Sequence, residues 1–238
     1  GFSSVKKSFD YPELCKKINV QGTKNILEST LKTKISPRIL IISSADIYGI
    51  PKKIPIPENH ELNPVSPYAE SRKEQEALCK EYADKLKIII LRSFPHIGPG
   101  QLPIFVTADF SKQIAEIEKG INPPIMKIGN IKAKRDFTDV RDMVKAYLLA
   151  IEKCKPGEIY NVCSGNSYSI QEILDKQLSF SKVKIKLEHD PNRMRPSDIP
   201  ELTGDNSKFK QATGWQPEIT IDQTLKDLLD YWREQVKA

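Results

Sequence analysis

The chain has 238 residues, 39% of them hydrophobic and 29% charged, with a formal net charge of +6, the make-up of a globular protein able to bury one large core or two small ones. No apolar run approaches the ~20 residues of a membrane span, and the opening GFSSVKKSFDYPEL has neither signal-peptide nor transit-peptide character, so a cytoplasmic protein with no membrane partner is expected. The 37 basic residues are 29 Lys and 8 Arg, scattered through amphipathic stretches rather than gathered with aromatics, which argues against a nucleic-acid partner.

In chain order, Pro12 to about Thr33 carries apolar residues at Leu14, Ile18, Ile26 and Leu27, with Pro12 suited to a first helical position, and reads as a helix. RILIIS (38–43) and KIIILRS (87–93) are branched apolar runs of strand length without alternation, so strands buried on both faces are expected. A helix beginning near Pro67 lies between them, and the order points to a parallel sheet covered by helices. FPHIGPGQLP is a loop. A helix closed by Gly120, a short strand PIMKIGN, the helix DVRDMVKAYLLAIEK and the strand EIYNVC follow. Ser169 and Glu172 form a capping box ahead of IQEILDKQLSF. VKIKL (183–187) alternates like a half-exposed strand, and TLKDLLDYWREQV is a last amphipathic helix.

The four cysteines, Cys15, Cys79, Cys154 and Cys163, show no CxxC and no histidine at ligand spacing. Neither a metal site nor a disulfide framework is expected, and Cys163 reads as a buried, inert thiol. Because arginine is scarce, Arg72, Arg92, Arg135, Arg193 and Arg195 are the residues to watch for bidentate phosphate contacts.

The chemistry gathers at two places. In SPYAESRKEQE (66–76), Tyr68 and Arg72 are neighbours on one helix face, where a fixed cation favours the phenolate and equips the tyrosine for proton transfer. Taken alone, such a pair also arises by chance at helical spacing. In ISSADIYG, Ser43, Ser44, Asp46 and Tyr48 follow the first buried strand, at the carboxyl edge where doubly wound sheets bind ligands. A serine hydroxyl, a tyrosine and a cation converging there would polarise a carbonyl or carbinol for hydride transfer.

NVQGTKNIL (19–27), SSADIYG (43–49), SPYAESR (66–72), FPHIGPGQ (94–101), KRDFTDVRD (134–142), YNVCSG (160–165), RPSD (195–198) and GDNSKFKQATGWQP (204–217) together resemble the extended short-chain dehydrogenases acting on nucleotide sugars, the NAD-dependent epimerase/dehydratase family. The likeness runs in order over essentially the whole chain. It is greatest to GDP-4-keto-6-deoxy-mannose reductases, in the family that also holds GDP-mannose 4,6-dehydratases.

That resemblance implies a doubly wound, Rossmann-like parallel α/β sheet lacking its N-terminal strands, with a smaller C-terminal α/β substrate-binding domain. Residues 1–93 would be the later part of the dinucleotide-binding domain. Residues 94–238 would mainly bind the nucleotide sugar, with about 126–165 returning to the sheet. It makes Ser44 the catalytic hydroxyl and Tyr68 the acid/base, and places Arg72 where the family keeps a lysine that also reaches the nicotinamide ribose. Asp46 stands where dehydratases keep a proton-abstracting glutamate; it is one methylene shorter, which tilts the reading toward a reductase, and a loop-capping aspartate is the plainer alternative.

Tyr68, Arg72, His96 and Asn19 would face the cofactor, NADP or NAD. Ser3, Ser44, Asp109, Lys112, Arg135 and Arg195 would face a GDP-linked sugar. Pro95 stands where the family usually has asparagine. The implied function is reduction of GDP-4-keto-6-deoxy-mannose by NADPH or NADH in a homodimer paired through the tyrosine helices. The rivals are a 4,6-dehydratase or 4-epimerase and, from another class, a catalytically impaired nucleotide-sugar-binding or scaffold protein. No glycine-rich GxxGxxG follows a first strand, so these residues are expected to be part of a longer chain.

Overall fold

A computed structural model describes residues 1–194 and 199–237. Ser4 caps α1 (Val5–Asp10), its hydroxyl accepting the Lys7 N–H at 3.2 Å. Pro12 opens α2 (Pro12–Lys16), and one π-helical turn, Lys17–Gln21, leads into α3 (Gly22–Leu31). The expected single helix is therefore three joined pieces. The wide turn re-aims the side chains within it, and Asn19 is buried.

β1 (Arg38–Ser44) runs into a 3-10 turn, Ala45–Tyr48. α4 (Pro67–Glu81) begins with Ser66 as its cap and Pro67 in the first position, where a missing N–H costs nothing. Then come β2 (Lys87–Ser93), β3 (His96–Ile97), α5 (Val106–Glu118), β4 (Ile125–Ile128), β5 (Lys134–Asp136) and β6 (Thr138–Asp139). α6 (Val140–Lys153) starts at Asp139, whose carboxylate accepts the Arg141 N–H at 2.8 Å. β7 (Ile159–Val162), β8 (Ser167–Ser169) and α7 (Ile170–Ser179) follow, with the Ser169–Glu172 capping box present as read from the sequence. β9 (Lys186–His189), β10 (Glu201–Leu202), α8 (Ser207–Thr213) and α9 (Ile221–Gln235) complete the fold. The strand expected over 183–187 forms later, at Lys186–His189, because β4 pairs with those residues in parallel.

The main sheet is parallel, in the order β1-β2-β7, with Ser44 opposite Ser93 and Arg92 opposite Asn161. Alternation along β2 explains its unbroken apolar run. Ile88 and Ile90 face α3 and α4, packing with Leu27 and Cys79. Ile89 and Leu91 face α6 and α8, packing with Met143, Ala146 and Phe209. Each fully buried side chain of this size contributes about 1.5–3 kcal/mol. Along β1, Ile39, Leu40 and Ile42 are half-buried, and Ile41 and Ser43 are buried.

A second core lies between α5, α7, α9 and β4, built on Phe110, Ile114, Met126, Leu174 and Leu225. A third, smaller one, with Tyr48, Ile56, Phe94 and Leu202, closes the space under the 3-10 turn. Asp136 stitches these parts together. Fully buried, its carboxylate accepts the Ser164 N–H (2.8 Å) and hydroxyl (2.6 Å), the Gly165 N–H (3.0 Å) and the Gly204 N–H (3.2 Å). Among the described residues no helix is long and apolar enough to cross a membrane, and no group of three or more His, Cys, Asp or Glu could hold a metal ion.

Candidate active site

Tyr68 occupies the first turn of α4, where its N–H donates to Ser8 Oγ at 3.1 Å. One turn on, the Arg72 guanidinium carbon lies 5.2 Å from the centre of the Tyr68 ring. Both side chains are largely buried, Tyr68 at 8% exposure and Arg72 at 9%. The guanidinium faces the ring and also reaches backbone: it donates to Ile42 O (3.2 Å), Phe2 O (3.2 Å) and the Gln75 side chain (3.0 Å). Its Nε–H is buried without a partner among the described residues.

Ile42 is two residues before Ser44, so Arg72 joins the tyrosine helix to the end of β1. The Ser44 hydroxyl donates to Asp46 Oδ2 at 2.9 Å and accepts the Asp46 N–H at 3.2 Å. Gly49 ends this turn at φ +63°, and a Cβ there would sit 1.8 Å from Asn63 O. Only glycine fits.

Across the ladder from Ser44, Ser93 Oγ lies 3.2 Å from the hydroxyl of Tyr147 on α6. Burial pushes the Tyr147 phenol up; Tyr68 acts in the same direction, and Arg72 against it. Tyr68, Arg72, Tyr147, Ser93 and Ser44 thus form one neighbourhood. Tyr147 was missed from sequence: in an amphipathic helix it reads as packing, and only the partner on β2 marks it.

Asn19 is fully engaged by protein. Its Oδ1 accepts the Phe2 N–H at 2.8 Å, and its Nδ2 donates to Ser71 Oγ at 2.9 Å and Phe2 O at 3.3 Å. It fixes the N-terminal segment at Phe2, whose carbonyl Arg72 also grips. Ser3 is exposed on that segment. His96 is exposed in β3, with its Nδ1 3.3 Å from Phe94 O. Pro95 contributes its carbonyl, which accepts the Thr138 N–H at 3.0 Å.

The residues expected to meet the nucleotide lie on other elements. Asp109 on α5 pairs with Arg193 and accepts from Gln113 at 2.8 Å. Burial pushes its carboxyl up against the pull of Arg193. Lys112 pairs with Glu116 at 3.0 Å along the helix. Arg135 on β5 donates to Ile199 O at 2.7 Å and Lys134 O at 2.8 Å. Arg195 lies outside the described residues. Lys6 Nζ donates to Asn192 O at 2.8 Å, which ties the segment around Ser3 to the stretch bearing Arg193. Arg92, flagged by its rarity as a phosphate ligand, is instead buried against Glu76 at 2.7 Å.

The family model described as "GDP-mannose 4,6 dehydratase" matches residues 1–228. The chain is 35% identical over 241 residues to "GDP-6-deoxy-D-mannose reductase" of Pseudomonas aeruginosa, covering 100% of this chain and 79% of that protein. It is 26% identical over 275 residues to "GDP-mannose 4,6-dehydratase" of Vibrio cholerae serotype O1, covering 99% and 72%. Among solved structures, RMD from Pseudomonas aeruginosa complexed with NADPH superposes with a TM-score of 0.93 at 34% identity, over 99% of this chain and 80% of that one. The UDP-glucose 4-epimerase of Thermotoga maritima, solved with UDP-glucose, gives 0.87 at 26% identity, over 99% and 75%. The parallel sheet with helices on both faces, the matched span and the identity to the reductase agree: this chain belongs to the GDP-mannose 4,6-dehydratase family of NAD(P)-dependent nucleotide-sugar enzymes.

Proposed function

We propose that this protein reduces a GDP-linked 4-keto-6-deoxy-hexose, GDP-4-keto-6-deoxy-mannose, to the GDP-6-deoxy-hexose, using NADPH or NADH. The observation that carries the reading is the 35% identity to a GDP-6-deoxy-mannose reductase across the whole chain, against 26% to the dehydratase. Asp46 supports it from the site: its carboxylate is engaged by the Ser44 hydroxyl at 2.9 Å and is one methylene short of a glutamate's reach.

The residues present suit the nicotinamide end of the cofactor. The buried, unpartnered Arg72 Nε–H and the Tyr68 phenol beside it offer a donor and a donor–acceptor for ribose hydroxyls. When bound, the reduced nicotinamide supplies the hydride that C4 receives. Tyr68 gives its proton to the oxygen at C4 as negative charge develops there, and Arg72 compensates the charge left on the phenol. Ser44 donates to the same oxygen after releasing Asp46, and Asp46 keeps the hydroxyl aimed until then. Arg135, Arg195, Lys112 and Asp109 serve the GDP moiety, with Ser3 beside the sugar.

In this reading residues 1–93 carry the cofactor side and 94–238 mainly the substrate side, with β7 and α6 returning to the sheet. Leu14, Ile18 and Ile26, exposed on the α2 to α3 stretch packed beside the tyrosine helix α4, offer apolar surface for a cytoplasmic homodimer paired through the tyrosine helices. The decisive experiment follows absorbance at 340 nm with the full chain, NADPH or NADH, and GDP-4-keto-6-deoxy-mannose, and identifies the product by mass and sugar analysis. Conversion of GDP-mannose to the keto sugar, or of UDP-glucose to UDP-galactose, in place of reduction would replace this reading with a dehydratase or an epimerase.

A further inference from the structure

A buried cation outside the reacting groups touches nearly every element that carries them. Arg92, 3% exposed on the α4 side of β2, sits opposite Ser43 in the ladder. Its Nε and NH2 grip both oxygens of Glu76 on α4, at 3.0, 3.3 and 2.7 Å. Its NH1 donates to the Tyr48 hydroxyl at 3.0 Å and to Glu58 O at 2.8 Å, and its guanidinium carbon lies 5.0 Å from the centre of the Tyr48 ring. Tyr48 passes the connection on, donating to Asn161 Oδ1 at 2.7 Å. Asn161 in turn donates to Ile56 O at 2.8 Å, and its N–H reaches the Glu58 carboxylate at 2.9 Å.

The sequence positions give this network its meaning. Glu76 is one turn beyond Arg72 and two beyond Tyr68 on the same helix face. Tyr48 is four residues beyond Ser44, in the turn that Asp46 and Ser44 close. One planar guanidinium therefore spans the tyrosine helix and the serine turn, beside the bond that Arg72 makes to Ile42 O of β1. Stability alone is a weak reason to keep such a network, because a buried ion pair is often replaceable by apolar side chains without loss. A planar fork with directional donors fixes spacing in a way that an apolar filler does not.

We propose that Arg92 is a positioning residue: acting through Glu76 and Tyr48, it sets the distance and orientation of the Tyr68 helix relative to the Ser44 turn, and touches no reacting atom. Lysine at position 92 keeps the charge but cannot hold Glu76, Tyr48 and Glu58 at once. An error of about 1 Å in such spacing is enough for a loss on the order of 100-fold in turnover. The inference rests on Ser44 and Tyr68 handling the proton in the proposed reduction.

The test compares the full-chain wild type with Arg92→Lys, Tyr48→Phe and Leu228→Ala. Leu228 is a fully buried residue of α9, chosen to lower stability away from the Ser44 turn and the tyrosine helix. For Arg92→Lys, kcat is expected to fall about 10- to 100-fold with KM for the keto sugar within about threefold. Tyr48→Phe keeps the ring and loses the shared hydroxyl; it decides the matter should Arg92→Lys fail to fold, with kcat expected to fall about 3- to 10-fold at unchanged KM. Leu228→Ala should lower Tm and leave kcat per folded molecule unchanged. Amide hydrogen exchange supplies a readout free of turnover: both site variants should exchange faster at 44–49 and 66–72 and not at 221–235. Unchanged kcat in Tyr48→Phe and Arg92→Lys at matched folded fraction, or faster exchange spread over the whole chain, overturns the proposal. Should the wild type reduce no keto sugar, the proposed function fails, and the exchange pattern alone decides the positioning role.

Discussion

Replacing Arg72 by lysine is expected to make the protein less stable and faster at once. The guanidinium donates to Ile42 O, Phe2 O and the Gln75 side chain at 3.0–3.2 Å from a nearly buried position. Bonds from a charged donor contribute about 1.5–3 kcal/mol each, and a single ammonium nitrogen cannot reach all three acceptors, so about 2 kcal/mol is lost. At about 2–4 °C per kcal/mol for a chain of this size, Tm falls by about 4–8 °C. The smaller ammonium, freed from the ring face, approaches the Tyr68 hydroxyl and a ribose hydroxyl together. A gain of about 1 kcal/mol in the transition state raises turnover about fivefold. Thermal unfolding and NADPH oxidation with the keto sugar, measured on one preparation, check both signs. A fall in turnover at unchanged Tm would refute the reasoning, because it would mean that arginine contributes through contacts other than these three.

Tyr68→Phe should keep the fold and lower turnover by about 10²–10⁴ with little change in KM; a loss under threefold would remove Tyr68 from the chemistry. At Asp139, burial opposes the charge, but the Arg141 side chain and N–H and the Thr224 hydroxyl outweigh it and hold the carboxyl below its usual range. A depressed carboxyl stabilises the fold above the unfolded value of about 3.9 and stops doing so as pH falls through the folded value. Asp139→Asn should therefore unfold at lower denaturant than the wild type at pH 7, with the gap closing below about pH 4; a gap independent of pH would sink the assignment. All four thiols are buried, and burial pushes Cys79 up to about 12 and Cys154 up to about 11. Ellman's reagent should find no fast-reacting thiol in the native protein and four in denaturant, and one rapid equivalent would contradict that burial.

The parts of the site that lie close in sequence were legible before the structure. Tyr68 and Arg72 are four apart in a helix whose start was marked by Ser66 and Pro67, so their shared face followed from helical geometry. Ser44 was placed by the end of an apolar strand. Where pairing depends on how elements dock, the sequence is mute. Nothing local tells that Arg92 turns to Glu76 rather than to a phosphate, because that depends on which side of β2 the helix lies. A π turn, invisible to periodicity, points the Asn19 carboxamide at Phe2 and Ser71, contacts that nothing local in the sequence announces. Tyr147 became noticeable only through Ser93, 54 positions away. The register of β9 was misplaced because it follows its partner β4 more than its own alternation.

Asp136 bears on how the chain assembles. Its donors come from residues 28, 29 and 68 positions downstream, so no early, local fragment can satisfy this carboxylate. Ser164 and Gly165 supply three of its four bonds, and only the last waits for Gly204. The cluster is therefore expected to close late in folding, after the two larger cores. Truncating it to alanine should hasten unfolding far more than it slows refolding, which stopped-flow kinetics would register as a φ-value near zero.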